Sequence, residues 1–154
     1  MKKYVIEFMK SADIENVVEV EEKCFSIPWS KEAFENELKN NLALYLVAKV
    51  DEKAVGYIGV WKILDEGHIT NVAVHPDYRK LGIGKALISE LLYLCQKDGI
   101  SSFTLEVRES NIVAQHLYES FGFIQNGKRK QYYSDNNEDA IIMWLKDTKD
   151  ERMN

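Results

Sequence analysis

The residues Arg79-Lys80-Leu81-Gly82-Ile83-Gly84 lie between a strand-like run and a helical pattern, and their types suit the holding of an anion. Before them, Ile69-Thr70-Asn71-Val72-Ala73-Val74 is rich in β-branched residues. His75-Pro76-Asp77 then interrupts the strand, because Pro76 has no N–H and biases His75 away from helix. After them, Ile83, Leu87, Leu91 and Leu94 recur at three- and four-residue spacing, and Gly99 supplies a stop. The first N–H groups of such a helix have no intrahelical partner, its dipole adds partial positive charge, and glycine lets a phosphate approach the backbone. Two later residues could move protons. Glu106 stands at the end of a strand, on the face opposite Phe103, Leu105 and Val107. Tyr118 stands on the inner face of the next helix, and a phenol with an ordinary pKa near 10 is protonated at neutral pH. Taken alone, Glu106 reads more readily as a solvent-facing glutamate, and Tyr118 as a core aromatic with a satisfied hydroxyl.

Three kinds of phosphate-binding turn can be told apart here. A P-loop requires G-x-x-x-x-G-K-[ST]; Gly84-Lys85 fits its end, but Arg79 replaces its first glycine and Ala86 its metal-binding hydroxyl. A dinucleotide fingerprint requires a glycine where Leu87 stands. The remaining pattern, R-x-x-G-x-G opening a helix after a strand, resembles the [QR]-x-x-G-x-[GA] acetyl-CoA loop of the GCN5-related N-acetyltransferase (GNAT) superfamily. The glycines alone would equally fit a tight turn capping a buried helix; the lead-in N-V-A-V-x-P-x-Y-R strengthens the likeness. The resemblance implies that acetyl-CoA is held by Val72, Ala73 and Val74 together with Arg79, Lys80, Leu81, Gly82, Ile83, Gly84 and Lys85. It also implies a backbone N–H near Val72 or Val74 as oxyanion donor.

Leu105-Glu106-Val107-Arg108-Glu109-Ser110-Asn111, followed by Ala114 and by Leu117-Tyr118-Glu119-Ser120-Phe121-Gly122-Phe123, resembles the L-E-V-R-x-S-N…A-x-x-L-Y-x-x-x-G-F block of protein N-terminal acetyltransferases. More narrowly it is similar to the bacterial ribosomal-protein-alanine N-acetyltransferase family. By that resemblance Glu106 is the general base, Tyr118 protonates the CoA thiolate, and Asn111 touches the CoA arm while also serving as a helix N-cap. Pro28-Trp29-Ser30 matches the family's P-W-S signature, and Asp139-Ala140-Ile141-Ile142-Met143 its E-D-A-I-I-M strand. Arg129-Lys130-Gln131-Tyr132-Tyr133 resembles its R-R-x-Y-Y loop, which makes Trp29, Tyr132 and Tyr133 the expected acceptor-binding residues. Lys130 departs from the second arginine and would weaken a planar, bidentate contact there.

The implied reaction moves acetyl from a thioester to an amine, and it needs a free lone pair. An α-amine with pKa near 8 carries a deprotonation penalty of about 1.4 kcal/mol at pH 7, against about 4.6 kcal/mol for a lysine. A modest base, direct or through one water, suffices for a chain terminus. The expected acceptor is the N-terminal alanine of ribosomal protein S18. Two other readings stay open: the same fold acting on a small amine or a lysine side chain, or a non-catalytic acyl-CoA-binding module. Direct transfer requires neither Cys24 nor Cys95.

The elements that must position these groups read in order as β-α-α-β-β-β-α-β-α-β-β, an α/β domain with a mixed central sheet of about seven strands flanked by helices, similar to the GNAT domain. Tyr4 to Phe8 is a strand, and Ser11 is the expected cap of a helix with Ile14, Val17, Val18, Glu21 and Cys24 along one side. Ser30 caps a second helix to Lys39. Leu42–Val50, Val55–Leu64 and 69–74 form a meander, with turns at Asp51-Glu52-Lys53 and Asp65-Glu66-Gly67. Phe123-Ile124 begins a strand, 128–137 reads as a basic, aromatic, turn-rich segment, and Ala140–Leu145 is the last strand. One domain is expected over 1–147, with 148–154 a frayed tail. A net charge of −5 argues against broad nucleic-acid binding. No run approaches 18 apolar residues, the cysteines read as reduced core residues, and the three histidines have no ligand spacing. The expected setting is therefore cytoplasmic, without metal or membrane.

Overall fold

A computed structural model describes residues 3–146 of the chain. Seven strands form one mixed sheet in the order β1-β2-β3-β4-β5-β7-β6. The strands are β1 (Val5–Phe8), β2 (Ala43–Val50), β3 (Lys53–Ile63), β4 (Glu66–Val74), β5 (Ser102–Arg108), β6 (Ile124–Tyr133) and β7 (Glu138–Leu145). The α-helices among the described residues are α1 (Ile14–Cys24), α2 (Lys31–Leu38), α3 (Ile83–Lys97) and α4 (Ile112–Glu119). This is the expected order. Only β4 and β5 run parallel, joined by the α3 crossover; every other neighbouring pair is antiparallel.

Each face of the sheet has its own core. On one side α3 inserts Ile83, Leu87, Ile88 and Leu91 against Leu46, Ile58, Val60, Phe103 and Leu105, and α4 adds Tyr118. On the other side α1 and α2 insert Ile14, Val17, Val20 and Phe34 against Tyr45, Val47, Tyr57 and Ala73. Helices α1 and α2 pack on β2, β3 and β4. The same face of β5, β7 and β6 carries Thr104, Glu106, Ile142 and Trp144 and forms an open trough.

Local chemistry explains most boundaries. Ser30 caps α2 by accepting the Ala33 N–H at 3.1 Å, and Asn111 caps α4 by accepting the Ala114 N–H at 3.1 Å. Asp51 and Glu52 both take positive φ, 49° and 68°, the geometry of a two-residue hairpin turn. Three expectations are corrected. Ser11 does not cap α1; it opens a 3₁₀ turn over Ser11–Asp13, in which Asp13 accepts the Lys10 N–H at 2.9 Å. Glu66 and Gly67 belong to β4, the turn falling at Leu64 and Asp65. The 128–137 segment is not a loop throughout, because β6 continues to Tyr133 and only 134–137 turn. Its pairing with β7 shifts register twice, between Gln125 and Lys128 and between Arg129 and Tyr133, which erases any alternating pattern. The tail expectation lies outside the described residues.

Candidate active site

Strands β4 and β5 pair only at Glu66–Ser102, Gly67–Phe103 and His68–Thr104 and then part, leaving Ile69–Val74 and Leu105–Arg108 unpaired with each other. A bulge accompanies the parting. Gly59 opposes Asn71 and Val60 opposes Ile69, so Thr70 is an extra residue on β4. Only glycine fits opposite the bulge: a Cβ at Gly59 would lie 2.3 Å from the Tyr45 ring and 2.7 Å from Thr70 Oγ1. The His75 N–H is donated to Val55 O at 2.8 Å, so by strand alternation the Ala73 amide also faces β3. The N–H and C=O groups of Val72 and Val74 therefore face away from β3, into the split. Apart from the Val74 C=O, which accepts from Arg79 Nε at 3.1 Å and from Cys24 Sγ at 3.4 Å, that side of β4 is an interior sheet edge free to pair with an extended, amide-bearing ligand.

At the end of β4 the chain passes through a 3₁₀ turn, Pro76–Tyr78, to the glycine turn. Gly82 is the N-cap of α3 with φ of +82°, and its C=O accepts the Ala86 N–H at 3.0 Å. A Cβ there would meet nothing nearer than Tyr4 Oη at 3.8 Å, so backbone conformation rather than space demands glycine. The Ile83, Gly84 and Lys85 N–H groups open the helix without intrahelical partners. Lys80 and Lys85 are exposed beside them, with no carboxylate in ion-pair range among the described residues. Arg79 does something the sequence did not signal: its Nε donates to Val74 O at 3.1 Å and its Nη2 to Cys24 Sγ at 3.4 Å, tying the turn to β4. Burial pushes the Cys24 thiol up, and the guanidinium only partly offsets this.

Glu106 and Tyr118 lie on opposite faces of the sheet. Glu106 lies in the open trough, a cavity of about 240 Å³ whose walls include His68, Thr104, Arg129, Ile142 and Trp144. Arg129 Nε donates to Glu106 Oε2 at 2.8 Å, and burial, followed by the nearby Glu106 charge, raises the pKa of the Tyr132 phenol. Tyr118 is 8% exposed, its ring centroid 5.8 Å from that of Phe123. Its hydroxyl has no hydrogen-bond partner among the described residues, and no buried side-chain polar atom there is left unpaired. The Tyr118 side chain as a whole is buried, with its hydroxyl left free of a protein partner among those residues. Burial raises its pKa above the ordinary phenol value, so it remains a proton donor throughout the neutral range. Burial also pushes the Tyr133 phenol up to about 12.

The α1–α2 side of the sheet is held by a network the sequence did not reveal. Glu21, 1% exposed, accepts the Trp29 N–H at 2.9 Å and the Tyr57 hydroxyl, and Tyr57 in turn accepts from Asn71 Nδ2 at 3.2 Å. One buried carboxylate thus joins the Pro28-Trp29-Ser30 segment to β4; burial raises its pKa. Across the trough, the Ser26 hydroxyl donates to Asp135, and Arg108 pairs with Asp135 at 2.8 Å and Glu138 at 3.3 Å. The Arg108 guanidinium also lies 4.0 Å over the Tyr133 ring. Glu138 accepts the Ser110 N–H at 2.6 Å, and the Ser110 contacts lead the causes that lower its carboxyl pKa to about 2. Gln115, 5% exposed, donates to both Arg108 O and Glu109 O at 3.0 Å, fixing α4 to the end of β5.

Residues 14–123 match the acetyltransferase (GNAT) family. The chain belongs to the GNAT acetyltransferase family. Among curated members, the Escherichia coli (strain K12) [ribosomal protein bS18]-alanine N-acetyltransferase is 36% identical over 145 residues, covering 91% of this chain and 95% of the relative. A Bacillus subtilis (strain 168) protein provisionally named for the same reaction is 42% identical over 144 residues, covering 93% and 95%. The crystal structure of the E. coli ribosomal-protein-S18-alanine N-acetyltransferase superposes with a TM-score of 0.87 at 34% identity, covering 94% of each chain. Among the described residues this GNAT chain has no cluster of side chains suited to a metal ion, and no helix long and apolar enough to cross a membrane.

Proposed function

We propose that this GNAT acetyltransferase moves the acetyl group of acetyl-CoA to a protein N-terminal α-amine, that of the alanine opening ribosomal protein bS18, in the cytoplasm. The observation that carries this reading is the split between β4 and β5, with a carboxylate on one face of the sheet and, on the other, a buried, protonated phenol without a protein partner among the described residues. The acceptor identity rests on the named relatives, each covered over nearly its whole length.

When bound, acetyl-CoA supplies the thioester carbonyl that the amine attacks. The α3 turn would hold the pyrophosphate through the Ile83, Gly84 and Lys85 amides, with Lys80 and Lys85 adding charge. The free edge of β4 at Val72 and Val74 would take the amides of the arm, and one of these N–H groups would face the developing oxyanion. Leu81 and Asn111 border the same path. Since the Ala73 amide faces β3, its part is to fix the strand. Glu106 takes a proton from the acceptor ammonium, directly or through one water, and frees the lone pair. As the C–N bond forms and the C–S bond breaks, Tyr118 gives its proton to the departing sulfur; the nitrogen releases its second proton to solvent, and Tyr118 takes a proton back from solvent. Arg129 keeps the Glu106 carboxylate turned into the trough until an acceptor ammonium competes for the same oxygen. Trp29, Tyr132 and Tyr133 flank the entering chain. A chain terminus suits one exposed carboxylate as base, because its deprotonation penalty is about 3 kcal/mol below that of lysine.

Mass-resolved acetyl transfer to three acceptors tests this: a peptide with a free N-terminal alanine, the same peptide blocked at its N-terminus but bearing lysines, and a polyamine. Acetylation of the free alanine is the expected result. Transfer mainly to the blocked peptide or the polyamine would overturn the acceptor assignment and leave the donor chemistry intact.

A further inference from the structure

A second depression lies beside the trough. Trp29, Ala33, Asn36, Glu37, Asn40 and Trp61 line a groove of about 380 Å³ between α2 and β3. At its centre Glu37 accepts only neutral donors. Oε1 accepts from Trp61 Nε1 at 2.9 Å and the Tyr45 hydroxyl at 3.1 Å, and Oε2 accepts from Asn40 Nδ2 at 3.2 Å. No Lys, Arg or His lies within ion-pair distance of Glu37 among the described residues. Oε2 keeps lone-pair capacity, and the Trp61 indole, 38% exposed, is pinned by its N–H so that ring surface stays open. A carboxylate without a cation, beside two indoles, is a receptor for a cationic side chain.

The groove and the trough are continuous across the sheet. Trp61 opposes His68, His68 opposes Thr104, and Thr104 opposes Trp144, so one row of residues joins them. Glu106 lies two residues along β5 from that row, and Trp61 lies two strands away. At usual strand rise and spacing this places Trp61 about 12 Å from Glu106. An extended chain covers about 3.4 Å per residue. A chain with its amine at Glu106 therefore brings its third to fifth residues over the groove.

Resting on the acceptor reading above, we propose that Glu37, Trp29 and Trp61 form a cation exosite that binds a lysine or arginine side chain at the third to fifth residue of the acceptor chain. The enzyme then selects alanine-initiated chains with a basic early segment. Because this contact is the same before and during acetyl transfer, it acts on KM rather than kcat.

The test compares alanine-initiated peptides that differ only in lysine or glutamine at residue three, four or five, assayed with the wild-type enzyme and with Glu37→Gln. Lysine at one or more of these positions is expected to raise kcat/KM by about three- to tenfold in the wild type, through KM and less so at high salt. In Glu37→Gln the lysine-to-glutamine ratio is expected to fall to about one. The ratio cancels any uniform loss of folded enzyme, and the wild-type ratio with its salt dependence decides alone if the variant does not fold. A wild-type ratio of one at all three positions, or an undiminished ratio in Glu37→Gln, overturns the exosite while leaving alanine acetylation standing. No turnover on any of these peptides overturns the acceptor reading, and the exosite with it.

Discussion

On the α3 side of the split, the groups proposed to meet a donor are backbone groups: the outward amides of Val72 and Val74 and the first N–H groups of α3 beyond Gly82. On the α1–α2 side, the groups proposed to hold the acceptor site are side chains joined across distant parts of the chain, among them Glu21, Trp29, Ser26, Asp135, Arg108 and Tyr133. Backbone groups tolerate many side chains but depend on φ and ψ, so one substitution that changes the path removes them together. A side-chain network fails piecemeal. The donor half should therefore break sharply and the acceptor half gradually.

The largest effect among the separable variants is expected at the junction of the halves. Tyr118→Phe keeps the ring that packs on Phe123 and removes only the hydroxyl, and turnover should fall on the order of 100-fold or more with acetyl-CoA affinity retained. Stopped-assay kcat beside calorimetric acetyl-CoA binding would show it; a normal kcat would assign the proton elsewhere. Gly82→Val comes next. A β-branched residue at φ +82° carries roughly 1–3 kcal/mol of strain, so acetyl-CoA binding should weaken about 10- to 100-fold. Unchanged affinity in the folded variant would remove the turn from the donor site.

The donor half was legible in the sequence because its geometry restricts residue type. Gly82 is glycine for conformational reasons, and the preceding β-branched strand and following leucine stripe could be read locally. Most strands and helices were legible for the same reason. Strand β6 was not: nine of its ten residues are exposed, and two register shifts break its period, so neither an apolar face nor an alternation marks it. The acceptor network was hidden because its partners are far apart in the chain, Ser26 from Asp135 by 109 positions and Arg108 from Asp135 by 27. Glu21 left a trace, a carboxylate on the apolar stripe of α1, but nothing local named Tyr57 or Trp29 as its partners. Glu106 was visible as an outward strand residue; its pairing with Arg129 was not.

Smaller effects should follow from the acceptor network. Asp135→Ala removes one link between the α1–α2 segment and the β6–β7 turn, and the acceptor KM should rise about two- to fivefold with acetyl-CoA affinity unchanged. A larger change in acetyl-CoA affinity than in acceptor KM would show that the halves are not separable. The acid response is smaller still. Because Glu138 is lowered from the usual 4.5 to about 2, its contribution to the folded state is present in full above pH 4.5 and is lost as pH falls through about 2. A side-chain carboxyl NMR titration should place the Glu138 midpoint near 2; a midpoint near 4.5 would mean that the contacts of Ser110 and Arg108 do not form in solution.

In the proposed reaction Glu106 takes the acceptor's proton while the donor is held by other groups. Glu106→Gln, assayed for turnover on an alanine-initiated peptide and for acetyl-CoA binding, tests it most directly. A fall in kcat of about 10²–10⁴-fold with acetyl-CoA affinity retained is expected. Turnover at the wild-type rate in Glu106→Gln would contradict it.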